Sequence, residues 1–276
     1  MNELVVKKVI KRAIEEDIRT GDITTDNILE ESKKGKGLIT VKEKAVVAGL
    51  KVAELVFKEI DPKIKFEHIE NDGDLVKKGE RIALIRGDLR SILKSERLAL
   101  NFLQRMSGIA TKTRKYVDKV KDYDVIVTDT RKTTPTLRYF EKWAVSLGGG
   151  RNHRMGLYDA VLIKDNHIKA VGNIDEAVEK VREKIPHTIK IEVEVESIDG
   201  VKEALENEVD IIMLDNMDLE MMKDSVKLIG DNTISEASGG ITLENIEEVA
   251  KTGVDVISIG ALTHQIESID IGLDVK

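Results

Sequence analysis

The spacing of hydrophobic and polar residues changes about halfway along the chain. In the first half, a helical pattern over residues 4–16 is followed by short alternating runs, such as residues 37–42 and 63–69. Alternation with period two predicts half-exposed antiparallel strands, and residues 72–79 predict a turn between two of them. Swinging-arm carrier domains of the biotinyl or lipoyl type have similar glycine spacing. A structural sheet explains the same residues, whereas a carrier domain leaves the rest of the chain unexplained.

A second helical pattern covers residues 91–106 and is expected to link two domains. Apolar residues recur in it at helical spacing, and the Ser107-Gly108 pair that follows predicts a break or a kink. On the opposite face, Arg97, Asn101 and Arg105 stand four residues apart. This spacing is typical of a stripe that faces solvent.

Beyond Lys121, apolar runs rich in β-branched residues alternate with amphipathic helical patterns. This alternation predicts parallel strands joined by crossover helices. The predicted strands are residues 125–128, 160–163, 189–195, 210–214, 233–237 and 254–259. The predicted helices are residues 136–147, 174–184, 198–207, 219–229 and 243–251.

Polar or glycine residues end or follow every one of these predicted strands. An open doubly wound sheet needs such residues only beside its switch point, whereas all strand ends of a barrel meet at one mouth. We therefore predict an α/β fold with an incomplete parallel barrel, preceded by a domain of helices and antiparallel strands. The predicted domains are residues 1–106 and 107–265, and the tail 266–276 is a candidate to pack back on the first domain.

The composition narrows the possible functions. A net charge of −7 argues against general nucleic-acid binding, which requires a basic field. The absence of cysteine excludes disulfides, thiolate nucleophiles and zinc bound by cysteine. The apolar runs are shorter than a membrane span, and the first residues resemble an amphipathic helix more than a signal peptide. We expect a cytoplasmic protein with no nucleic-acid or membrane partner.

Basic residues are concentrated in one segment of this acidic chain, namely Arg131, Lys132, Arg138, Lys142, Arg151, His153, Arg154 and Lys164. Several of them follow predicted strands, so we expect them to point into the barrel mouth. Guanidinium groups bind carboxylates and phosphates through two parallel hydrogen bonds, and lysine adds a compact charge. The segment therefore predicts a pocket for a small molecule with several anionic groups. The glycine-containing loops after the last two predicted strands suit a phosphate, although they also suit plain turns.

The roles of the acidic residues and histidines are open to several interpretations. Neither His153 nor His167 belongs to a metal-binding repeat, so a transition-metal site is an alternative that the pattern does not favour. Residues 192, 194 and 196 are glutamates on one side of a predicted strand, and at least one is expected to reach the mouth. The plain alternative for the first and third is pairing with nearby lysines. Glu194 with Asp215 suits ribose hydroxyls or a hydrated Mg²⁺.

The order of these residues resembles the quinolinate phosphoribosyltransferase family, also called carboxylating nicotinate-nucleotide pyrophosphorylases. The resemblance runs nearly end to end, through EDIRTGDIT, ERLALNFLQRMSGIAT, the block from DTRKT to KDNH, IEVEVE, IMLDN, EASGGI and TGVDVISIGALTH. It implies transfer of the phosphoribosyl group of phosphoribosyl pyrophosphate to quinolinate with decarboxylation. The products are nicotinate mononucleotide, pyrophosphate and CO₂, a step of de novo NAD synthesis. It also implies that the first domain is an α+β domain that contains a four-stranded antiparallel sheet. It further implies a homodimer with a shared active site, and further assembly of dimers stays open.

The resemblance implies roles for individual residues. The implied catalytic residues are Lys132, Lys164, Glu194 and Asp215, of which Glu194 and Asp215 also hold Mg²⁺ through water or substrate. The implied substrate-binding residues are Arg97 from the neighbouring subunit, Thr130, Arg131, His153, Arg154, Ser238, Gly239, Gly240, Gly260 and His264. The chain departs from the family pattern at Thr136, where many members have glycine after the proline.

Two other functions are compatible with the same motifs. A paralogous pyrophosphorylase-like protein linked to molybdenum uptake shares the barrel and much of the motif set. A non-catalytic regulator that has kept the anion-binding pocket belongs to a different class. Turnover of quinolinate distinguishes the first from an enzyme of NAD synthesis, and binding without release of pyrophosphate indicates the second.

Overall fold

The computed structural model describes residues 2–29, 31 and 33–276, which form two compact units. One unit comprises Met1–Arg114, Thr134–Gly149 and Gln265–Lys276, and the other comprises Lys115–Thr133 and Gly150–His264. The sequence pattern alone assigns residues 134–149 to the second domain. In the structure, they belong instead to the unit that contains the antiparallel sheet.

Beyond residue 121, the predicted helices and strands begin and end within three residues of their predicted bounds, whereas residues 50–60 and 165–171 form helices that the pattern did not predict. The helices are α1 Glu3–Asp17, α2 Ile23–Ile28, α3 Leu50–Ile60, α4 Leu89–Val120, α5 Arg138–Leu147, α6 Asp165–Val171, α7 Ile174–Arg182, α8 Ile198–Glu206, α9 Leu219–Ile229, α10 Ile246–Ala250 and α11 Ala261–His264. The strands are β1 Lys34–Val41, β2 Ala45–Val46, β3 Lys65–His68, β4 Leu75–Val76, β5 Arg81–Asp88, β6 Ile126–Thr128, β7 Val161–Ile163, β8 Ile191–Val195, β9 Ile211–Asp215, β10 Ile234–Ser238, β11 Val256–Ser258 and β12 Ile271–Val275. Among the helices described, none is both long enough and apolar enough to cross a membrane.

The predicted four-stranded antiparallel sheet is confirmed in the first unit. Its strand order is β12-β1-β5-β3, so the C-terminal strand closes one edge through pairs such as Val41 with Ile271. The predicted turn over residues 72–79 contains the short strand β4, which pairs with β2. Ile39, Val41 and Ile85 are fully buried or nearly so. Each buried aliphatic side chain of this kind contributes roughly 1.5–3 kcal/mol to the free energy of unfolding.

The break predicted at Ser107-Gly108 is wrong, because α4 continues without interruption to Val120. The Ser107 hydroxyl accepts a hydrogen bond from the Ala48 N–H at 3.0 Å, so the side chain is used in packing. A Cβ atom on Gly108 would lie 2.2 Å from the backbone oxygen of Glu267. Glycine is therefore required here because the C-terminal segment passes very close to the helix.

The polar stripe of α4 is only partly exposed to solvent. Arg97 and Asn101 are exposed, as expected. Arg105 is not, because its Nε and Nη2 atoms bind the buried carboxylate of Glu141 at 2.9 and 2.5 Å. Nη2 also donates to the Thr134 hydroxyl. Burial of a carboxylate without such a partner costs several kcal/mol of folding free energy. This ion pair therefore stabilises the packing of residues 134–149 against α4 within the first unit.

The second unit contains a six-stranded parallel sheet in the order β6-β11-β10-β9-β8-β7. The predicted parallel strands and crossover helices are therefore confirmed. The strands β6 and β7 are the two edges, so the barrel is incomplete. One further bridge links Thr128 of β6 to Arg151, which places the residues after the glycine-rich loop along this edge.

Thr136 adopts a backbone conformation that favours glycine. Its φ angle is +70°, and α5 consequently begins at Arg138 and not at residue 136 as the pattern predicts. A left-handed conformation costs a residue with a Cβ atom roughly 1–2 kcal/mol, and a threonine is additionally branched at Cβ. The departure from the glycine of many family members therefore introduces local strain.

We expect Thr136→Gly to stabilise the protein by about 1 kcal/mol, because relief of the strain exceeds the added entropy of the unfolded chain. The melting temperature should rise by roughly 2–4 °C. Thr136→Ala is the matched control, since alanine keeps the Cβ atom and most of the strain. An equal rise in both variants, or none in Thr136→Gly, contradicts this explanation.

Candidate active site

The carboxyl ends of the six parallel strands carry the polar residues that the sequence analysis singled out. Parallel strands end at the same edge of a sheet, so these residues lie along one edge of the second unit. They are Asp129 to Lys132 after β6, Lys164 after β7, Glu194 in β8, Asp215 at the end of β9, Ser238 to Gly240 from β10, and Gly260 after β11. Arg97 lies in the other unit, exposed on α4.

The residues after β6 hold the segment that contains His153. Asp129 is fully buried, and its Oδ1 atom accepts the His153 N–H at 3.0 Å. The Arg151 N–H donates to the Val127 carbonyl at 2.8 Å. The Thr130 hydroxyl accepts the Lys132 N–H at 3.0 Å and so shapes the turn that follows the strand. These bonds fix residues 151–153 against β6.

Arg131 and Arg154 are electrostatic neighbours. Burial, followed by the positive charge of Arg131, lowers the pKa of Arg154 below its ordinary value. The Arg154 Nη1 atom donates to the Ala160 carbonyl at 2.9 Å, which helps to orient the side chain. Two cations held close together repel each other, and an anion bound between them removes that cost. The pair therefore suits a ligand with carboxylate or phosphate groups.

Lys132, Gly260 and His264 come together beside β11. A Cβ atom on Gly260 would lie 2.8 Å from Cδ of Lys132 and 3.2 Å from two atoms of the His264 ring. The Thr263 hydroxyl donates to the Lys132 carbonyl at 2.8 Å and holds the lysine backbone in place. The absence of a side chain at Gly260 thus leaves room for the lysine and the imidazole.

Lys164 and Glu194 form a close ion pair across the edge between β7 and β8. The Lys164 N–H also donates to Nδ1 of His167 at 2.9 Å. His167 therefore caps the beginning of α6 and is exposed. This role in the cap accounts for His167 without a metal.

Asp215 lies next to the loop of residues 238–240. Ser238 is the register partner of Asp215, and the Asn216 N–H donates to the Ser238 carbonyl at 2.9 Å. Gly239 and Gly240 have φ angles of +90° and +61°, so the backbone turns sharply at this point. The Asn216 side chain donates to Oδ2 of Asp215 at 2.7 Å and orients its carboxylate.

A buried cluster of His153, Glu192 and Glu236 was not recognised from the sequence. Nε2 of His153 lies 3.2 Å from Oε2 of Glu192 and 3.5 Å from Oε1 of Glu236. Pairing of Glu192 with a lysine, the plain alternative for this residue, is therefore wrong. Within the described part of the chain, these are the three residues whose ligand atoms are grouped closely enough to hold a metal ion. The sequence did allow Glu236 to be found. It stands two residues before Ser238 in the segment ISEAS, so both side chains lie on the same face of the strand.

The stability of the protein should depend on pH through Glu236. Burial, followed by the charge of Glu192, raises the pKa of Glu236 from 4.5 to about 7. A carboxyl group that binds its proton more tightly in the folded state contributes stability below pH 4.5, and this contribution is lost as the pH rises through about 7. Relative to Glu236→Gln, the native protein should lose up to ~3 kcal/mol of unfolding free energy between pH 4.5 and 8.

Unfolding midpoints measured from pH 4.5 to 8 test this expectation. Glu206→Gln is the control, because Glu206 is an exposed residue of α8. Its stability curve should run parallel to that of the native protein. Parallel curves for Glu236→Gln as well would contradict a raised pKa.

Comparison with known proteins identifies the family. The model of the quinolinate phosphoribosyl transferase N-terminal domain matches residues 22–107, and that of the C-terminal domain matches residues 109–274. A probable nicotinate-nucleotide pyrophosphorylase (carboxylating) of Bacillus subtilis is 44% identical over 275 residues, which cover 100% of this chain and 95% of the relative. Its counterpart in Methanocaldococcus jannaschii is 45% identical and covers 97% and 96%. The solved nicotinate-nucleotide pyrophosphorylase of Francisella tularensis superposes with a TM-score of 0.96 at 38% identity, covering 100% of this chain and 98% of that one. The chain therefore belongs to the quinolinate phosphoribosyltransferase family.

Proposed function

We propose that this protein transfers the phosphoribosyl group of phosphoribosyl pyrophosphate to quinolinate, with loss of CO₂, to give nicotinate mononucleotide and pyrophosphate. The observation that carries the proposal is the set of cationic residues at the strand ends, in a chain similar over its whole length to carboxylating nicotinate-nucleotide pyrophosphorylases. Both substrates carry several negative charges, which such a set of residues suits.

The reaction needs no nucleophile from the protein. The pyridine nitrogen of quinolinate attacks C1 of the ribose while the bond to pyrophosphate breaks. The ring nitrogen becomes positive and accepts the electron pair left on the ring when the adjacent carboxylate departs as CO₂, and a proton then replaces the carboxylate. The task of the protein is to orient two anions that repel each other and to stabilise the leaving pyrophosphate.

The strand-end residues divide this task. Arg131, Lys132, His153, Arg154 and Lys164 line the pocket for the two substrates. Glu194 and Asp215 face the ribose. Ser238, Gly239, Gly240, Gly260 and His264 receive phosphate groups. Gly239 and Gly240 at the sharp turn support the last assignment, because residues without a side chain let a phosphate approach the backbone N–H groups.

Magnesium is part of the proposal. Glu194 and Asp215 offer carboxylate oxygens at the ends of the adjacent strands β8 and β9, and hydrated Mg²⁺ prefers one or two carboxylates together with substrate phosphates. Lys164 already pairs with Glu194, so Asp215 has the less neutralised carboxylate of the two. When bound, Mg²⁺ would offset negative charge on the pyrophosphate.

A shared homodimeric site and a cytoplasmic location complete the proposal. The exposed position of Arg97 is compatible with its reaching the site of a second copy. A chain without cysteine has no need of an oxidising compartment.

Incubation with quinolinate, phosphoribosyl pyrophosphate and Mg²⁺ tests the proposed activity. Nicotinate mononucleotide and pyrophosphate should form in equal amounts. Nicotinate, tried in parallel, should react much more slowly, because a site for two carboxylates leaves positive charge unpaired when only one is present. Absence of nicotinate mononucleotide with quinolinate would overturn the proposal.

Lys132→Ala and Arg154→Ala should each lower kcat/KM by about one to two orders of magnitude. The reason is the loss of a charge-assisted contact of roughly 1.5–3 kcal/mol. Lys202→Ala is the matched control, since Lys202 is an exposed residue of α8 that pairs with the exposed Asp199. Steady-state kinetics with each substrate measure the effect. Unchanged kinetics in both site variants contradict the assignment of these residues to the pocket.

Mixed dimers test whether Arg97 acts in the site of the neighbouring subunit. Arg97→Ala and Lys132→Ala homodimers should each be nearly inactive. A dimer with one subunit of each kind contains one intact site, so an equal mixture with random exchange should regain about one quarter of the native activity. No recovery, despite subunit exchange demonstrated by mass spectrometry, counts against a shared site.

A further inference from the structure

Glu192 and Glu236 lie behind the cationic residues and are almost inaccessible to solvent. Glu192 is 2% exposed and Glu236 is 3% exposed, whereas the residues proposed to bind the substrates are half-buried or exposed. They come from β8 and β10, which are separated by β9, and both carboxylates approach Nε2 of His153. Burial of two carboxylates side by side is costly, so their presence requires a reason.

The hydrogen bonds of His153 define where its ring proton lies. The Arg154 N–H donates to Nδ1 at 2.8 Å, so Nδ1 must be unprotonated. The proton of the neutral ring is therefore on Nε2, which faces Glu192 and Glu236. The backbone of His153 is also fixed, because its N–H donates to the buried Asp129.

This tautomer does not suit a metal ion, although the three side chains are close enough to one another to hold one. A histidine that binds a metal through Nε2 usually donates its Nδ1–H to an acceptor. Here the group facing Nδ1 is itself a donor, the Arg154 N–H. The cluster is consequently better explained by a hydrogen bond between His153 and Glu192, with Glu236 buried beside it, than as a cation site.

Glu192 also interacts with the arginines. Its negative charge raises the pKa of Arg154, opposing the effect of Arg131 and of burial. Glu192 therefore offsets part of the repulsion between the two guanidinium groups. The Glu192 carboxylate thus contacts the His153 ring and also stabilises the positive charge of Arg154, the next residue in the chain.

We propose that Glu192 and Glu236 are positioning residues. Glu192 holds the His153 ring by accepting its Nε2–H, and Glu236 packs 3.5 Å from the same nitrogen without a hydrogen bond to it. Together they fix the 153–154 backbone so that Arg154 is presented to a substrate carboxylate. They do not touch the substrate themselves. The proposal rests on the proposed function, because it assigns His153 and Arg154 to the binding of quinolinate.

Kinetics of Glu192→Gln and Glu236→Gln test the positioning role. Glu192→Gln should raise the KM for quinolinate about tenfold, because the glutamine lacks the charge that holds the ring and opposes Arg131. Glu236→Gln should have a smaller effect in the same direction. The KM for phosphoribosyl pyrophosphate should stay within about twofold, and the control Glu206→Gln should be unchanged. Glu192→Asp, which keeps the charge, should restore part of the loss.

Nitrogen NMR of histidine in the unmodified protein gives a readout that is independent of activity. The chain has five histidines, so the His153 signals can be assigned by comparison with His153→Asn. Protonated Nε2 and unprotonated Nδ1 are expected for His153. This measurement also decides the question if Glu192→Gln fails to fold.

Several outcomes would overturn the proposal. They are an unchanged KM for quinolinate in both glutamine variants, a proton on Nδ1, stoichiometric binding of added Zn²⁺ that Glu192→Gln abolishes, and a rise of both KM values in parallel with a lower melting temperature. The last would indicate a merely structural role. Absence of turnover in the unmodified protein would instead overturn the proposed function, and with it this proposal, before any variant is compared.

Discussion

Repulsion among cations gathered at one sheet edge is the constraint on which the second unit depends. Parallel strands deliver their carboxyl ends to the same side, so a pocket for anions built there collects like charges. Burial lowers the pKa of Arg154, and the positive charge of Arg131 lowers it further. The structure offsets this repulsion with carboxylates at short distances, as in the pair of Lys164 with Glu194, and with backbone carbonyls such as that of Ala160.

Two kinds of glutamate perform different tasks on one strand. Glu192 and Glu194 share a face of β8, yet the first is buried beneath the site and the second lies near its surface. The register pairs Glu192 with Ile211 and Glu194 with Met213. Glu192 is thus one layer deeper, where it reaches the His153 ring. Glu194 is at the strand end, where it pairs with a lysine and remains accessible to a ligand.

The first unit also contains a buried charge that is neutralised by an ion pair. Glu141 is buried in α5, and Arg105 of α4 neutralises it. Without this pair, the segment from Thr134 to Gly149 would bury an uncompensated charge. The arginine that looked like part of a solvated stripe therefore has a structural role, which explains why residues 134–149 belong to the first unit although they stand between strands of the second.

The sequence by itself determined the parallel strands and most helices of the second unit, because burial on one face or both imposes a period that can be read locally. Residues 219–229 were predicted as a helix with the same bounds that α9 has. The polar residues at the strand ends followed from the same pattern. Only the tertiary structure decided which distant residues meet. His153 and Glu192 are 39 residues apart, Arg105 and Glu141 are 36 apart, and Gly108 lies against Glu267. Such pairs depend on strand order, on the packing of helices and on close backbone approach, and none of these produces a periodic pattern in the sequence.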